Sequence, residues 1–256
     1  MNTELYERIT QKKEFSQLPK KDVELAIEKF EKRNLNDYQM LKLTRQFLRK
    51  IYSSFSSRKV FSSDGKGKST EWYLMKHKSS KERFPHYEEV YERIFPETGK
   101  FSVVDLGCGI NGLSFLNSRY EKRINYLGVE AIGQFVDLMN SFFEKNKKNW
   151  KATHASLFEF EKIKKILEEQ KEPRIVLFFK VIDSLELMKR NYSKELLKEI
   201  TPLCDKIIVS FATRSLGNRK KFSANRNWIV KFISENFEIL DDFEIGGERY
   251  ISFHPQ

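Results

Sequence analysis

A short glycine-rich segment carries the residues best suited to bind a cofactor. Residues 101–112 read FSVVDLGCGING, an apolar run that reaches Asp105 and continues into three closely spaced glycines. This pattern predicts a buried strand that ends in a tight turn, at the edge of a parallel sheet where ligands bind. A second predicted strand, residues 126–129, ends in Glu130. Because a carboxylate there can accept hydrogen bonds from both hydroxyls of a ribose, the segment predicts a nucleoside-cofactor site.

Two cofactors fit this pattern. Gly107, Gly109 and Gly112 match the G-x-G-x-x-G of dinucleotide-binding proteins, and Glu130 follows near the expected place. Asp105 before the first glycine instead favours S-adenosylmethionine (SAM), since D-x-G-x-G is the usual opening of methyltransferases that use SAM. We interpret the segment as a SAM site, with a dinucleotide site and a ligand-free turn as alternatives.

The order of strand and helix signals after residue 100 predicts an α/β fold. Apolar runs at residues 174–179 and 206–211 have the composition of central parallel strands. The chain ends in two strand patterns around Gly246 and Gly247, which predicts an antiparallel hairpin. A parallel sheet closed by such a hairpin is typical of class I SAM methyltransferases and not of dinucleotide-binding domains, so it favours SAM.

The N-terminal part has helical periodicity instead. We therefore predict a small helical, basic N-terminal domain at residues 1–70 and a SAM-dependent methyltransferase domain at residues 71–256. Three helices are predicted around the sheet. One runs from Ser79 or Ser80 through Phe95, one follows directly after the glycine turn, and one covers residues 185–200.

The charge distribution indicates an acidic partner. The chain has a formal net charge of +11, and twelve Lys or Arg residues against three acidic ones lie between positions 42 and 83. A second basic run begins after the predicted fifth strand. A nucleic-acid interface is the favoured interpretation, and a solvated lysine-rich surface is the alternative. The RNA-binding candidates are Arg58, Lys59, Arg214, Arg219, Lys220 and Lys221.

Several classes of protein do not fit the sequence. An apolar run of about 18 residues, as a membrane span requires, is absent, and the charged start does not resemble a signal peptide. We therefore expect a cytoplasmic protein with no membrane partner. The two cysteines and four histidines lack the spacing of metal ligands, so no metal is expected.

Two further polar positions flank the predicted cofactor site. Arg83, in the segment HKSSKER, could bind the carboxylate of the methionine moiety through its guanidinium group, or it could be an exposed helix charge. Lys180 follows the fourth strand, at the place that faces the transferable methyl group in this fold. The alternative for Lys180 is a lysine that reaches solvent.

Five segments carry a family resemblance. In order and spacing, the chain resembles the aminoglycoside-resistance 16S rRNA (guanine-N7) methyltransferases over residues 70–253. The resemblance implies a helical domain that docks on the 30S subunit and a SAM domain that methylates guanine 1405 of the decoding site. The matching segments are HKSSKER, VVDLGCGINGLSF, LFFKVIDSLE, SFATRSLGNRKKF and ERYISF.

The same resemblance implies roles for individual residues. Arg83 would hold the SAM carboxylate, Glu130 the ribose, and the step Ser156–Leu157 the adenine. Ser156 departs from the acidic residue that is frequent in the family, and the run that starts at Lys180 lacks the family's proline. Arg214 and Arg219 would contact RNA. The full set of predicted cofactor residues is His77, Arg83, Asp105, Gly107, Gly109, Glu130, Ala131, Ser156, Leu157 and Lys180.

Guanine N7 carries a free lone pair, so its methylation requires positioning and no proton removal. We therefore predict no catalytic acid or base, and a positioning role for Lys180. A monomer is expected. The alternatives are an RNA-binding module with a degenerate SAM pocket, methylation of adenine N1 at another rRNA nucleotide, and methylation of a small molecule.

Overall fold

The computed structural model describes residues 3–53, 67–213 and 226–256. Within these ranges, no helix is long and apolar enough to cross a membrane. The predicted RNA-binding residues lie outside the described residues: Arg58, Lys59, Arg214, Arg219, Lys220 and Lys221.

Seven strands of the described ranges form one sheet in the order β3-β2-β1-β4-β5-β7-β6. The first five strands run parallel, and β7 pairs antiparallel with both β5 and β6. The predicted α/β sheet with a C-terminal antiparallel hairpin is therefore confirmed. The strands are β1 (Phe101–Leu106), β2 (Ile124–Glu130), β3 (Lys151–His154), β4 (Arg174–Phe179), β5 (Lys206–Ala212), β6 (Glu238–Ile245) and β7 (Glu248–His254).

Helices cover both faces of the sheet. Every residue of β1 is buried, and only the first residue of β4 is not fully buried, as expected for central strands. The helices are α1 (Thr3–Thr10), α2 (Lys20–Glu31), α3 (Asp37–Leu48), α4 (Thr70–Leu74), α5 (Lys78–Arg83), α6 (Tyr87–Ile94), α7 (Gly133–Lys145), α8 (Phe160–Glu168), α9 (Ile182–Met188), α10 (Tyr192–Ile200) and α11 (Asn227–Asn236).

The three helices predicted around the sheet are shorter or interrupted in the structure. The helix expected through Phe95 is divided by a 3₁₀ turn at Phe84–His86, because Pro85 lacks the N–H that a continuous helix needs. His77, and not Ser79 or Ser80, caps α5.

The other two helices are also shorter than predicted. Asn191 adopts left-handed φ of 62° and separates α9 from α10. After the glycine turn there is only a 3₁₀ helix at Asn111–Phe115, and Asn117 with φ of 67° prevents its continuation.

The N-terminal helices pack directly against the sheet domain. Their apolar core includes Leu48 and also Met188 from α9. The Lys29 ammonium donates a hydrogen bond to the Leu187 carbonyl oxygen at 2.6 Å. The N-terminal helices thus contact the carboxyl side of β4 through α9, while the boundary near residue 70 remains a prediction.

We expect Leu48→Ala to lower the free energy of unfolding by about 2–5 kcal/mol, because Leu48 is fully buried and the truncation leaves a cavity. Urea unfolding followed by circular dichroism measures this change. Tyr38→Ala on the same helix is the control, since Tyr38 is 68% exposed, and it should change stability by about 0.5 kcal/mol or less. Equal losses in both variants would contradict the packing described here.

Candidate cofactor site

A cavity lies at the carboxyl ends of β1, β2 and β4, where the glycine turn opens. Gly107 and Gly109 have positive φ values of 72° and 55°, which glycine adopts without steric cost. A Cβ at Gly107 would lie 2.6 Å from Val181, and one at Gly109 would lie 2.9 Å from the His77 ring. The turn therefore needs glycine for its conformation and for its close approach to neighbouring walls.

Glu130 ends β2 with its carboxylate facing the turn. Its two oxygens accept hydrogen bonds from the backbone N–H groups of Gly109 at 2.7 Å and Ile132 at 2.9 Å. Burial raises the pKa of Glu130 to about 7, although these backbone hydrogen bonds lower it. The backbone thus fixes the carboxylate in place, and each oxygen keeps acceptor capacity for a ligand hydroxyl.

Asp105 lies below the turn and is also buried. Its Oδ2 accepts hydrogen bonds from the Asn111 amide at 2.8 Å and the Tyr126 hydroxyl at 3.2 Å, whereas its Oδ1 has no partner. Burial raises the pKa of Asp105 to about 6, against the lowering effect of Asn111 and Arg83. The unpartnered oxygen of a residue that lines the cavity is a free acceptor for a ligand.

Three charged residues from distant parts of the chain form an ion-pair cluster, and two of them, Arg83 and Lys180, line the cavity. The buried Glu248 carboxylate, at the start of β7, binds the Arg83 guanidinium at 2.8 Å and the Lys180 ammonium at 3.0 Å. Lys180 also binds Glu82 at 2.9 Å. The cluster connects α5, the carboxyl end of β4 and the C-terminal hairpin.

The cluster controls the charge of its members. Burial alone would raise the pKa of Glu248, but Arg83 and Lys180 lower it further than burial raises it, so the carboxylate is charged. Burial would lower the pKa of Arg83, yet Glu248 raises it overall. Burial lowers the pKa of His77 to about 3, helped by Arg83 and Lys180, so this ring is neutral. His77 therefore acts as a helix cap and wall of the cavity, not as a cation.

Lys180 has an unusual backbone conformation. Its φ is 57°, in the left-handed region, and its N–H donates to the Ser210 carbonyl oxygen at 3.2 Å and hydroxyl at 3.1 Å. Non-glycine residues in this region are uncommon and are retained where surrounding contacts fix them. The conformation directs the chain from β4 into α9 and leaves Lys180 in the cavity wall.

The structure brings most of the predicted cofactor residues together. Ser156 does not line the cavity and is fully buried, with its hydroxyl accepting the Phe158 N–H. Gly112 is also absent from the lining, and its lack of a side chain makes room for the Tyr126 ring. The predicted residues that do line the cavity are His77, Arg83, Asp105, Gly107, Gly109, Glu130, Ala131, Leu157 and Lys180.

Sequence reasoning missed several residues of this site. Glu248 lies within the recognised segment ERYISF, and its signal is an acidic residue directly after the glycine turn of the hairpin. The Asn111 side chain connects Asp105 to Arg83. Its amide nitrogen donates to Asp105, and its Oδ1 accepts a hydrogen bond from Arg83 at 3.1 Å. Asp22 and Tyr52 line the cavity from the N-terminal helical region, and no local pattern marks them. Among the described residues, no cluster of His, Cys, Asp and Glu could hold a metal ion.

Comparison with known proteins identifies the family. A family model described as ribosomal RNA methyltransferase (FmrO) matches residues 64–242, which is more than half of the chain. The chain belongs to this family. The match includes the glycine turn, Glu130 and Lys180, and ends before Glu248.

Individual curated relatives agree with this assignment. A 16S rRNA (guanine(1405)-N(7))-methyltransferase of Serratia marcescens is 30% identical over 181 residues, which are 68% of this chain and 66% of the relative. One with the same name from Micromonospora rosea is 26% identical, over 70% of this chain and 63% of the relative. The matched region thus spans slightly less than two thirds of these curated relatives.

Solved structures show the same fold. The 16S rRNA methyltransferase RmtF, in complex with S-adenosyl-L-homocysteine, superposes with a TM-score of 0.80 at 19% identity, over 99% of this chain and 98% of RmtF. The 16S rRNA methylase RmtB gives a TM-score of 0.76 at 19% identity, over 98% of each chain. The predicted class I methyltransferase fold is confirmed.

We expect Glu248→Gln to destabilise the protein by about 3–5 kcal/mol at neutral pH, because it leaves the buried Arg83 and Lys180 without their shared carboxylate. Urea unfolding measures the change. The lowered pKa of Glu248 means that its contribution is present above its ordinary pKa and is lost as the pH falls through the folded value.

Asp242→Asn is the control for this prediction, since it removes the exposed ion pair with Arg249. Its expected cost is about 0–1 kcal/mol. A Glu248→Gln protein as stable as Asp242→Asn would show that the cluster does not carry this energy.

Proposed function

We propose that this protein transfers a methyl group from SAM to N7 of a guanine in 16S rRNA, at decoding-site nucleotide 1405. The observation that carries the proposal is the cavity at the carboxyl ends of β1, β2 and β4, in a chain that belongs to a ribosomal RNA methyltransferase family. The names of the curated relatives support this nucleotide and this nitrogen.

The residues of the cavity fit SAM. Arg83 uses three of its N–H groups on Glu248, Asn111 and Tyr250, and a guanidinium has five, so two remain for a carboxylate. The free oxygen of Asp105 can accept from an ammonium group, and Glu130 can accept from the ribose hydroxyls. Leu157 and Phe158 provide apolar walls for the base. When bound, SAM supplies an electrophilic methyl group on a sulfonium sulfur.

The chain's own contribution to the reaction is binding and positioning. Guanine N7 has a lone pair and no proton, so the protein needs no base for the transfer. Lys180 lies at the carboxyl end of β4 with its ammonium fixed by Glu82 and Glu248. We assign Lys180 a role in positioning the target base, since its charge is neutralised within the wall and is not free to act as a strong electrostatic catalyst.

The same proposal covers the oligomeric state of the protein, its location in the cell and the form in which it meets its RNA substrate. We propose that the protein acts as a monomer, in the cytoplasm, on 16S rRNA within the 30S subunit, and without a metal. The net charge of +11 supports an RNA partner. A role in aminoglycoside resistance follows if the modified nucleotide lies in the decoding site.

The direct test is transfer of labelled methyl from SAM to purified 30S subunits, with primer extension to map the modified nucleotide. We expect one modification at guanine 1405, and at least a hundredfold loss of transfer in Glu130→Ala, because the variant lacks the ribose acceptor and leaves the N–H groups of Gly109 and Ile132 without their partner. Modification at an adenine would overturn the proposed nucleotide. A protein that binds 30S subunits but transfers no methyl would be an RNA-binding module with a degenerate pocket.

The same assay separates RNA from a small-molecule acceptor. Charge reversal at Arg214 and Arg219 should reduce transfer to 30S subunits if these residues contact RNA. Full activity after this reversal would favour a small-molecule acceptor.

We expect the affinity for S-adenosylhomocysteine to fall about tenfold between pH 8 and pH 6, because the pKa of Glu130 is raised to about 7 and only the carboxylate binds both hydroxyls strongly. His77 stays neutral throughout, since its pKa is about 3. Calorimetry at each pH measures this change. Glu130→Gln should bind more weakly at pH 8 and show a flatter profile, and an unchanged slope in this variant would assign the titration to another group, such as Asp105.

A further inference from the structure

One residue of the N-terminal helices reaches the cofactor cavity with an unused acceptor. Asp22 in the first turn of α2 is 1% exposed, yet it lines the cavity together with Ile51 and Tyr52. Asp22 comes from outside the sheet domain, and the methyl transfer proposed for this protein gives its carboxyl group no role. Its contacts indicate what it could bind.

The carboxyl group of Asp22 is only partly satisfied by the protein. The Tyr52 hydroxyl donates a short hydrogen bond to Oδ1, whereas Oδ2 is buried and has no hydrogen-bond partner. The nearby Ser156 hydroxyl interacts with this carboxyl group as a hydrogen-bond donor and lowers its pKa, but it does not lie in hydrogen-bond geometry with Oδ2. Leaving a buried acceptor unpaired is costly, so a ligand that donates an N–H to Oδ2 would recover this cost.

The neighbours of Asp22 place it at one end of the cavity. Its electrostatic neighbours Glu159 and His154 belong to the end of β3 and the loop after it. Its partner Tyr52 is close enough to Glu130 for that carboxylate to raise the pKa of the hydroxyl. Asp22 therefore lies beyond Glu130 on the β3 side, whereas Lys180 lies on the opposite, β4 side of β1.

The walls at this end suit a flat heteroaromatic ring. Ile51, Leu157 and Phe158 contribute apolar surface beside Asp22. Ser156, which the family resemblance assigned to the adenine, lies behind this surface and does not line the cavity. The carboxylate from α2 is thus a polar acceptor available to a ring edge at this end.

We propose that Asp22 binds the exocyclic amino group of the cofactor's adenine, so that the N-terminal helices supply part of the cofactor site. The inference rests on the proposed function, because it concerns how the same cavity selects its nucleoside. An ionised carboxylate only accepts hydrogen bonds, so it favours the 6-amino group of adenine and disfavours the 6-oxo group of hypoxanthine. Asp22 is then a specificity-determining residue.

The charge state of Asp22 is compatible with this role. Burial raises its pKa to about 6, while Ser156 and Tyr52 lower it, Glu159 raises it and His154 lowers it. At about pH 8 the group is therefore ionised, and binding is best compared there.

Calorimetry with two ligands tests the inference. The probes are S-adenosylhomocysteine and its inosine analogue, which carries a 6-oxo group in place of the 6-amino group. The wild-type protein should prefer the adenosine ligand by about tenfold to a hundredfold, the range expected for a hydrogen bond to a charged group. Asp22→Asn should reduce this preference to about threefold or less, because an amide can accept from the amino group or donate to the 6-oxo group.

Ser156→Ala is the matched control, since it removes the hydroxyl beside Asp22 but no atom of the cavity lining. It should keep the wild-type preference. Thermal unfolding of both variants checks the fold, and the ratio of the two affinities is insensitive to a uniform loss of active protein.

The outcomes separate this inference from the function on which it rests. If the wild-type protein binds neither ligand, the proposed cofactor is wrong, and the inference falls with it. If the wild type binds S-adenosylhomocysteine and Asp22→Asn keeps the full preference, or loses affinity for both ligands equally, Asp22 is a structural residue and the inference alone is overturned. Loss of the preference in Ser156→Ala but not in Asp22→Asn would return the adenine contact to Ser156.

Discussion

The site depends on one buried carboxylate that two cations share. Glu248 binds Arg83 from α5 and Lys180 from the end of β4, and all three side chains are almost completely buried. Isolated buried charges are very unfavourable, so the buried Glu248 carboxylate stabilises Arg83 and Lys180 in the wall of the cavity. The antiparallel hairpin therefore does more than close the sheet, because Glu248, the first residue of its second strand, stabilises two cations beside the cavity.

The second constraint is the close approach of the glycine turn to its surroundings. Gly109 donates its N–H to Glu130 and leaves no space for a side chain next to the His77 ring. His77 in turn caps α5, the helix that ends in Arg83. The turn, Glu130 and the helix that ends in Arg83 are thus in mutual contact, and a change in one of them is transmitted to the others.

The sequence was informative where local pattern and chemistry coincide. The apolar runs predict β4 and β5, and the hairpin at Gly246 and Gly247 follows from turn chemistry alone. Helix lengths were less predictable, because the break at Asn191 depends on a left-handed residue that periodicity does not reveal. Glu248 could not be assigned either, since its partners are distant in the chain and meet it only after the sheet has formed.

The N-terminal helices also make contacts with distant parts of the chain that the sequence did not predict. A basic, helical segment before a methyltransferase pattern indicates a separate docking domain, and its charge supports that interpretation. Yet Ile51 and Tyr52 line the same cavity as Glu130, and the apolar core of these helices includes Met188 from α9. Any movement of these helices would therefore change the walls of the cavity.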